Sequence, residues 1–213
     1  MRVEIISADK NCPAVTYMPI VAAMFALLLF FGVVSANAQS SPRNEPPRPV
    51  SGLDLKRYSG KWYEIAKYPN RFQRQCIANT TAEYTLKNNG RIEVLNSCTK
   101  RDGVSDSAKA EGKIADKKNN AKLKVRFAPG FTSWLPFVWA NYWVVDLAED
   151  YSYAVVSEPG RDYFWVLSRT PTMDEPTFQA IVNRAQAMGF DANRIVRTPQ
   201  NATVRDGRVV STE

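Results

Sequence analysis

Leu53-Asp54-Leu55-Lys56-Arg57-Tyr58-Ser59-Gly60-Lys61-Trp62-Tyr63-Glu64-Ile65-Ala66-Lys67-Tyr68 leads into the first strand of the chain. Gly60 lets the backbone enter that strand where a side chain would collide. From Trp62 onward Trp62, Glu64, Ala66 and Tyr68 fall on one face of an extended segment. An indole at the start of a strand suits the plug of a small barrel's closed end. Gly-x-Trp alone is equally what any buried strand carries, so the context has to come from the rest of the chain.

At 213 residues, 45% of them hydrophobic, the chain holds one domain with extensions. Residues 18–34 are an apolar run, followed by Ser35-Ala36-Asn37-Ala38. Small residues at 36 and 38 form an Ala-x-Ala cleavage site, so residues 1–38 read as an export signal cut before Gln39. A membrane anchor is the alternative, for which the run is short. The leader ahead of Met18 mixes Arg2 and Lys10 with Glu4 and Asp9, which makes Met18 an alternative start. No cysteine follows the apolar run where lipid acylation needs one, and Cys12 would leave with the signal.

Residues 39–50, rich in Pro, Ser and Arg, read as a flexible lead-in. Cys76 and Cys98 remain, an even pair that in an exported protein reads as a disulfide, with two buried thiols as the alternative. The net charge of +7 favours anionic partners such as a phospholipid surface. The basic residues are scattered, and nucleic acid is not expected as a partner of an exported chain. With no histidine, Ser-His-Asp and Cys-His catalysis are excluded and a zinc or haem site is implausible. No glycine-rich phosphate loop occurs, and neither a metal nor a cofactor is expected.

Beyond the first strand, residues 81–86 and 91–96 alternate around Asn88-Asn89-Gly90, a strong hairpin signal. Cys76 and Cys98 flank its far end, a few residues out of register, so bridging them needs a bulge. Residues 109–115 and 121–127 form a second hairpin, with Leu123, Val125 and Phe127 inward and three cations outward. The loop 128–140 is aromatic, with Trp134, Phe137 and Trp139, and needs a buried place, a ligand or a membrane to explain it. Strands follow at 141–147, 153–157 and 163–168, apolar on both faces, so something covers them outside. Residues 172–188 supply the cover: a helix with Thr172 and Glu175 as a capping box, and a stripe of Phe178, Ile181, Val182, Ala185 and Met188. Gly189 stops it, residues 194–197 add a last short strand, and 201–213 is a polar tail.

These elements describe an all-β fold: an eight-stranded antiparallel up-and-down β-barrel with one C-terminal α-helix on its flank. A two-sheet sandwich is the alternative. Three motifs then occur in order: Gly60-Lys61-Trp62-Tyr63, Glu149-Asp150-Tyr151, and Leu167-Ser168-Arg169-Thr170-Pro171. Together they resemble the three signature regions of the lipocalins. The flanking runs 142–147 and 194–200 are similar to the branch that holds bacterial lipocalin and apolipoprotein D, and the likeness spans residues 51–200. Glu149 stands where the signature usually has Thr.

The resemblance implies that Gly60, Trp62, Asp150, Tyr151 and Arg169 close the barrel base, with Arg169 lying across Trp62. It also implies a cavity for a lipophilic small molecule, a fatty acid or lysophospholipid. The inward candidates to line it are Tyr84, Leu86, Ile92, Val94, Leu123, Val125 and Phe127, with Trp139, Tyr142 and Trp165. The function expected is lipid binding or transport without catalysis, by an exported protein that is periplasmic or secreted, with association with the outer membrane as a further option. An isomerase acting through a free Cys76 or Cys98, or a protein docking on a membrane or partner through residues 128–140, are the alternatives. Loop alternation puts 88–90 and 116–120 at the base, and 69–76, 98–108, 128–140 and 157–162 at the mouth.

Overall fold

Eight strands run in chain order around a closed ring: β1 (Gly60–Lys67), β2 (Cys76–Leu86), β3 (Ile92–Lys100), β4 (Ser105–Ile114), β5 (Lys122–Arg126), β6 (Ala140–Leu147), β7 (Tyr153–Ser157) and β8 (Phe164–Ser168). Each pairs antiparallel with the next, and β1 takes both β2 and β8, which closes the barrel and removes the sandwich alternative. This computed structural model describes residues 45–127 and 138–211. The segment expected as an export signal, with Cys12, the start of the expected lead-in, residues 128–137 with Trp134 and Phe137, and the last two residues lie outside the described residues.

The chain enters through α1 (Leu55–Tyr58), capped by the Asp54 carboxylate, which accepts from the amides of Lys56 and Arg57. Just before it, the Val50 amide donates to the Val144 carbonyl at 2.9 Å, so the lead-in is already pinned to the barrel there. After β8 comes α2 (Glu175–Ala187). Its N-cap is Asp174, whose carboxylate accepts from the Thr177 amide, so the helix starts later than the Thr172 box suggests. Gly189, at φ +86°, turns the chain so that Phe190 folds back and is buried.

Two cores result. One fills the barrel base, with Leu53, Tyr58, Trp62, Ile92, Leu123, Val144 and Ala154. The other lies outside the barrel, where Phe178, Ile181, Val182 and Ala185 of α2 pack on Ile65, Val145, Val155, Phe164 and Val166. Strands β7 and β8 thus contribute alternate residues to both cores, which is why they are apolar on both faces.

Strand β1 departs from strict alternation. Its pairing with β8 shifts between Glu64 and Ala66, a bulge. Trp62 and Glu64 face the interior, whereas Ala66 and Tyr68 belong to the outer core, so the four do not share one face. Strand β2 is likewise irregular, with register shifts between Cys76 and Thr81. These bring Cys76 and Cys98 to a Cα separation of 5.5 Å, and the two are bonded as a disulfide.

Two short additions finish the chain. Strand β9 (Val196–Arg197) pairs with β1 beyond the bulge. The polar tail forms a hairpin, β10 (Ala202–Arg205) with β11 (Arg208–Ser211). Its turn, Asp206-Gly207, has φ of +50° and +71°, the left-handed pair that a two-residue hairpin needs.

Candidate functional site

The barrel base is a stack of side chains. Trp62 is fully buried, its indole N–H donates to the Tyr58 carbonyl at 2.8 Å, and its ring lies 5.0 Å from that of Tyr58. The Arg169 guanidinium lies 3.7 Å from the Trp62 ring centroid and donates to the carbonyls of Lys61, at 3.0 Å, and of Arg57. Gly60 has φ +94°, and an added Cβ would meet Arg169 at an ordinary 3.5 Å. The glycine is therefore required by backbone conformation and not by crowding. In the next turn the Asp150 carboxylate accepts from the Ser152 amide. Tyr151, at φ +64°, accepts from the Asp54 amide and carries Arg57 4.0 Å over its ring.

Above this base lies a cavity of about 590 Å³, inside the range of small-molecule sites. Tyr84, Val94, Val125, Phe127, Tyr142 and Trp165 line it, six of the ten side chains expected to do so. The other four do not. Ile92 and Leu123 are buried in the base below, and Leu86 is packed against the same cluster. Trp139 lies elsewhere. It is buried among cations that project outward, with Lys113 at 4.0 Å, Arg126 at 5.0 Å and Arg91 at 5.6 Å from its ring. Arg126 and Arg91 also pair with Glu111, on the same outer face.

Several wall residues escaped sequence reading. Glu64 lines the cavity at 2% exposure. Its carboxylate takes Lys67 at 2.9 Å, the Thr198 hydroxyl at 2.6 Å and the Gln73 amide at 2.7 Å, so its charge and lone pairs are matched. Gln73 in turn accepts from Asn70 and from the Trp165 indole N–H at 3.0 Å, which fixes the first mouth loop to the wall. The period shared with Trp62 was the signal for Glu64. Thr80, Asn96, Val156 and Leu167 complete the middle of the wall.

At the deep end Tyr142 bridges Tyr58, at 2.7 Å, and Tyr84, at 2.8 Å, hydroxyl to hydroxyl. Burial pushes the Tyr84 phenol up to about 12, and lifts Tyr58 and Tyr142 well above the usual tyrosine range. All three are neutral hydrogen-bonding groups near pH 7. At the other end, lining comes from residues 70–73 and 138, in two of the loops expected at the mouth, and from Phe127 and Tyr163 beside such loops. Phe72, Tyr163 and Trp165 stack in series there, with ring separations of 5.6 and 5.8 Å. The Cys76–Cys98 bridge occupies both thiols on which an isomerase would depend.

Comparison with known proteins agrees with this geometry. The sequence profile of the lipocalin-like domain matches residues 53–200. Temperature-induced lipocalin-1 of Arabidopsis thaliana is 42% identical over 158 residues, 72% of this chain and 83% of its own length. Outer membrane lipoprotein Blc of Escherichia coli K12 is 34% identical, covering 86% of this chain and 97% of its own. Mouse apolipoprotein D is 32% identical, with 83% and 96% covered. Among solved structures, insecticyanin from the tobacco hornworm Manduca sexta superposes with a TM-score of 0.57 at 24% identity, covering 71% of this chain and 82% of its own, a likeness of fold. With that profile over most of its length and these relatives nearly end to end, the chain belongs to the lipocalin family.

Proposed function

We propose that this protein binds and carries a small lipophilic ligand, a fatty acid or lysophospholipid, in its barrel cavity, without catalysis. The observation that carries the reading is the cavity itself: about 590 Å³ above a packed base, its wall mostly carbon, with lining residues reaching a rim at one end. The lipocalin family generally binds small hydrophobic ligands, which supports the same reading. The Ala-x-Ala signal and the relatives named outer membrane lipoprotein support an exported protein of the cell envelope, periplasmic or secreted.

Contact with an anionic membrane is the natural companion of such a role. Phe72, Val104 and Phe127 are 57%, 54% and 58% exposed, and all three lie in or beside loops of the open end. With Arg71, Arg74 and Arg101 in the same loops, they make a rim of apolar tips and cations suited to anionic headgroups. Titration with a fluorescent fatty acid tests the carrier function, with a dissociation constant in the micromolar range or tighter expected, about −8 kcal/mol or better. Native mass spectrometry on protein purified from its own source identifies the cargo. An intact barrel that binds no lipid of any length overturns the carrier reading and leaves the docking one, which sedimentation with anionic vesicles measures separately.

A further inference from the structure

The cavity wall holds hydrogen-bonding capacity that the protein does not use. Tyr58, Tyr142 and Tyr84 bring three hydroxyl hydrogens to two hydroxyl–hydroxyl contacts, so one hydrogen is left over. Tyr58 is 2% exposed, does not line the cavity, and has Tyr142 as its hydroxyl partner, so its hydrogen is paired only if it donates to Tyr142, the arrangement that leaves no buried donor unmatched in the base. The spare hydrogen therefore resides on Tyr142 or Tyr84, both of which line the cavity.

A second unspent group lies higher on the same wall. Thr80 is 5% exposed, lines the cavity, and its hydroxyl oxygen has no hydrogen-bond partner. Beside it, Asn96 of β3, whose register partner is Ala82, adds an amide to the wall. Thr80 and Tyr84 are four residues apart on β2, roughly 13 Å along an extended strand. A plain hydrocarbon chain threading this space would leave both stations unpaired, and an unpaired buried polar group counts against the complex.

A carboxylate is a poor match for the deeper station. Of the two basic lining residues, Arg71 lies in the first mouth loop and the Arg126 guanidinium is turned to Glu111, while the wall itself carries the Glu64 carboxylate. An ionised head stays at the rim, and what reaches the tyrosines is neutral. We propose that the preferred occupant is an oxygenated lipid, an acyl chain carrying a hydroxyl or oxo group inside the barrel, where Tyr84 and Tyr142 meet it. This rests on the carrier reading above and names the class of its ligand.

The test is displacement of a fluorescent fatty acid by stearic acid and by a series of hydroxy- and oxo-stearic acids with the oxygen stepped along the chain. A confined set of oxygen positions should bind about tenfold tighter than stearic acid, a difference of about 1.4 kcal/mol. Tyr84→Phe combined with Tyr142→Phe should bring that ratio towards one. Thr80→Val should remove the advantage only for oxygens nearer the carboxyl end. Circular dichroism checks that each variant is folded, and the positional series on the unaltered protein decides the matter should the double variant not fold. Equal binding of stearic acid and every oxygenated isomer overturns the inference and leaves the carrier reading intact, as does a preference that survives in the double variant. Binding of none of the acids overturns both.

Discussion

Substituting Trp62 and Arg169, singly and together, tests the barrel base. Trp62 is fully buried, and an aromatic side chain of its size removes roughly 200 Å² of apolar surface from water, about 5 kcal/mol at 25 cal/mol per Å². Because part of the space is reclaimed on relaxation, Trp62→Ala should cost about 3–5 kcal/mol. Arg169 contributes its contact over the indole, 3.7 Å from the ring centroid, and two bonds to carbonyls. It is half-buried and its carbonyl partners regain water, so Arg169→Ala should cost less, about 1–2 kcal/mol. In a domain of this length each kcal/mol moves the melting temperature by about 2–4 °C. The single variants should therefore melt about 6–20 °C and about 2–8 °C lower. Since the two side chains touch, the double variant should fall short of the sum by about 1 kcal/mol. Thermal and urea unfolding followed by circular dichroism reads all four corners of the cycle. Unchanged midpoints in both single variants, or strict additivity in the double, would refute the stacked base.

Alkali should act through the three buried tyrosines. The Tyr84 phenol is held up to about 12 by burial, against 10.0 unperturbed, and Tyr58 and Tyr142 are raised too. The folded state therefore holds protons that the unfolded state releases, so stability is full below about pH 10 and is lost as pH rises through about 12. Tyrosinate absorbance should rise in two stages, the second coinciding with unfolding; a single stage near 10 in the folded protein contradicts this. Val125→Arg places an unpaired charge on the cavity wall and should weaken fatty-acid binding at least tenfold in the displacement assay, with the barrel still folded by circular dichroism. Removing residues 172–200 bares Val145, Val155, Phe164 and Val166, so the truncated chain should aggregate in size-exclusion chromatography; a soluble folded product argues against the helix as the cover.

The barrel itself was legible because its signals are local. Asn88-Asn89-Gly90 turns one hairpin, the alternation of residues 122–126 marks a wall, and the two-sided apolar strands announce the helix that covers them. What escaped depends on partners distant in sequence. The bulge between Glu64 and Ala66 exists only in the pairing of β1 with β8, and it divides a seemingly regular run between two cores. Trp139 sits one residue before β6, so no alternation defines its face, and the cations of three other segments draw it outward. The Thr172–Glu175 spacing has the form of a capping box, but Asp174, two residues on, is the side chain that caps α2. Asp206-Gly207 was a readable hairpin turn inside what composition alone marks as a tail. Thr80 and the Tyr58–Tyr142–Tyr84 chain are contacts in space, and no spacing in the sequence encodes them.

Among the described residues, the barrel strands of the outer core are β1, β6, β7 and β8. Those strands pack on α2, whereas the outward faces of β3, β4 and β5 carry charged side chains such as Glu93, Lys109, Lys122 and Lys124, and the cluster of Arg91, Lys113 and Arg126 round Trp139. Amide hydrogens of β3–β5 should therefore exchange through openings of lower free energy than those of β7, β8 and β1. The ring has a stiff half and a compliant half. A guest too broad for the cavity should therefore displace β3–β5 outward rather than the half that rests on α2.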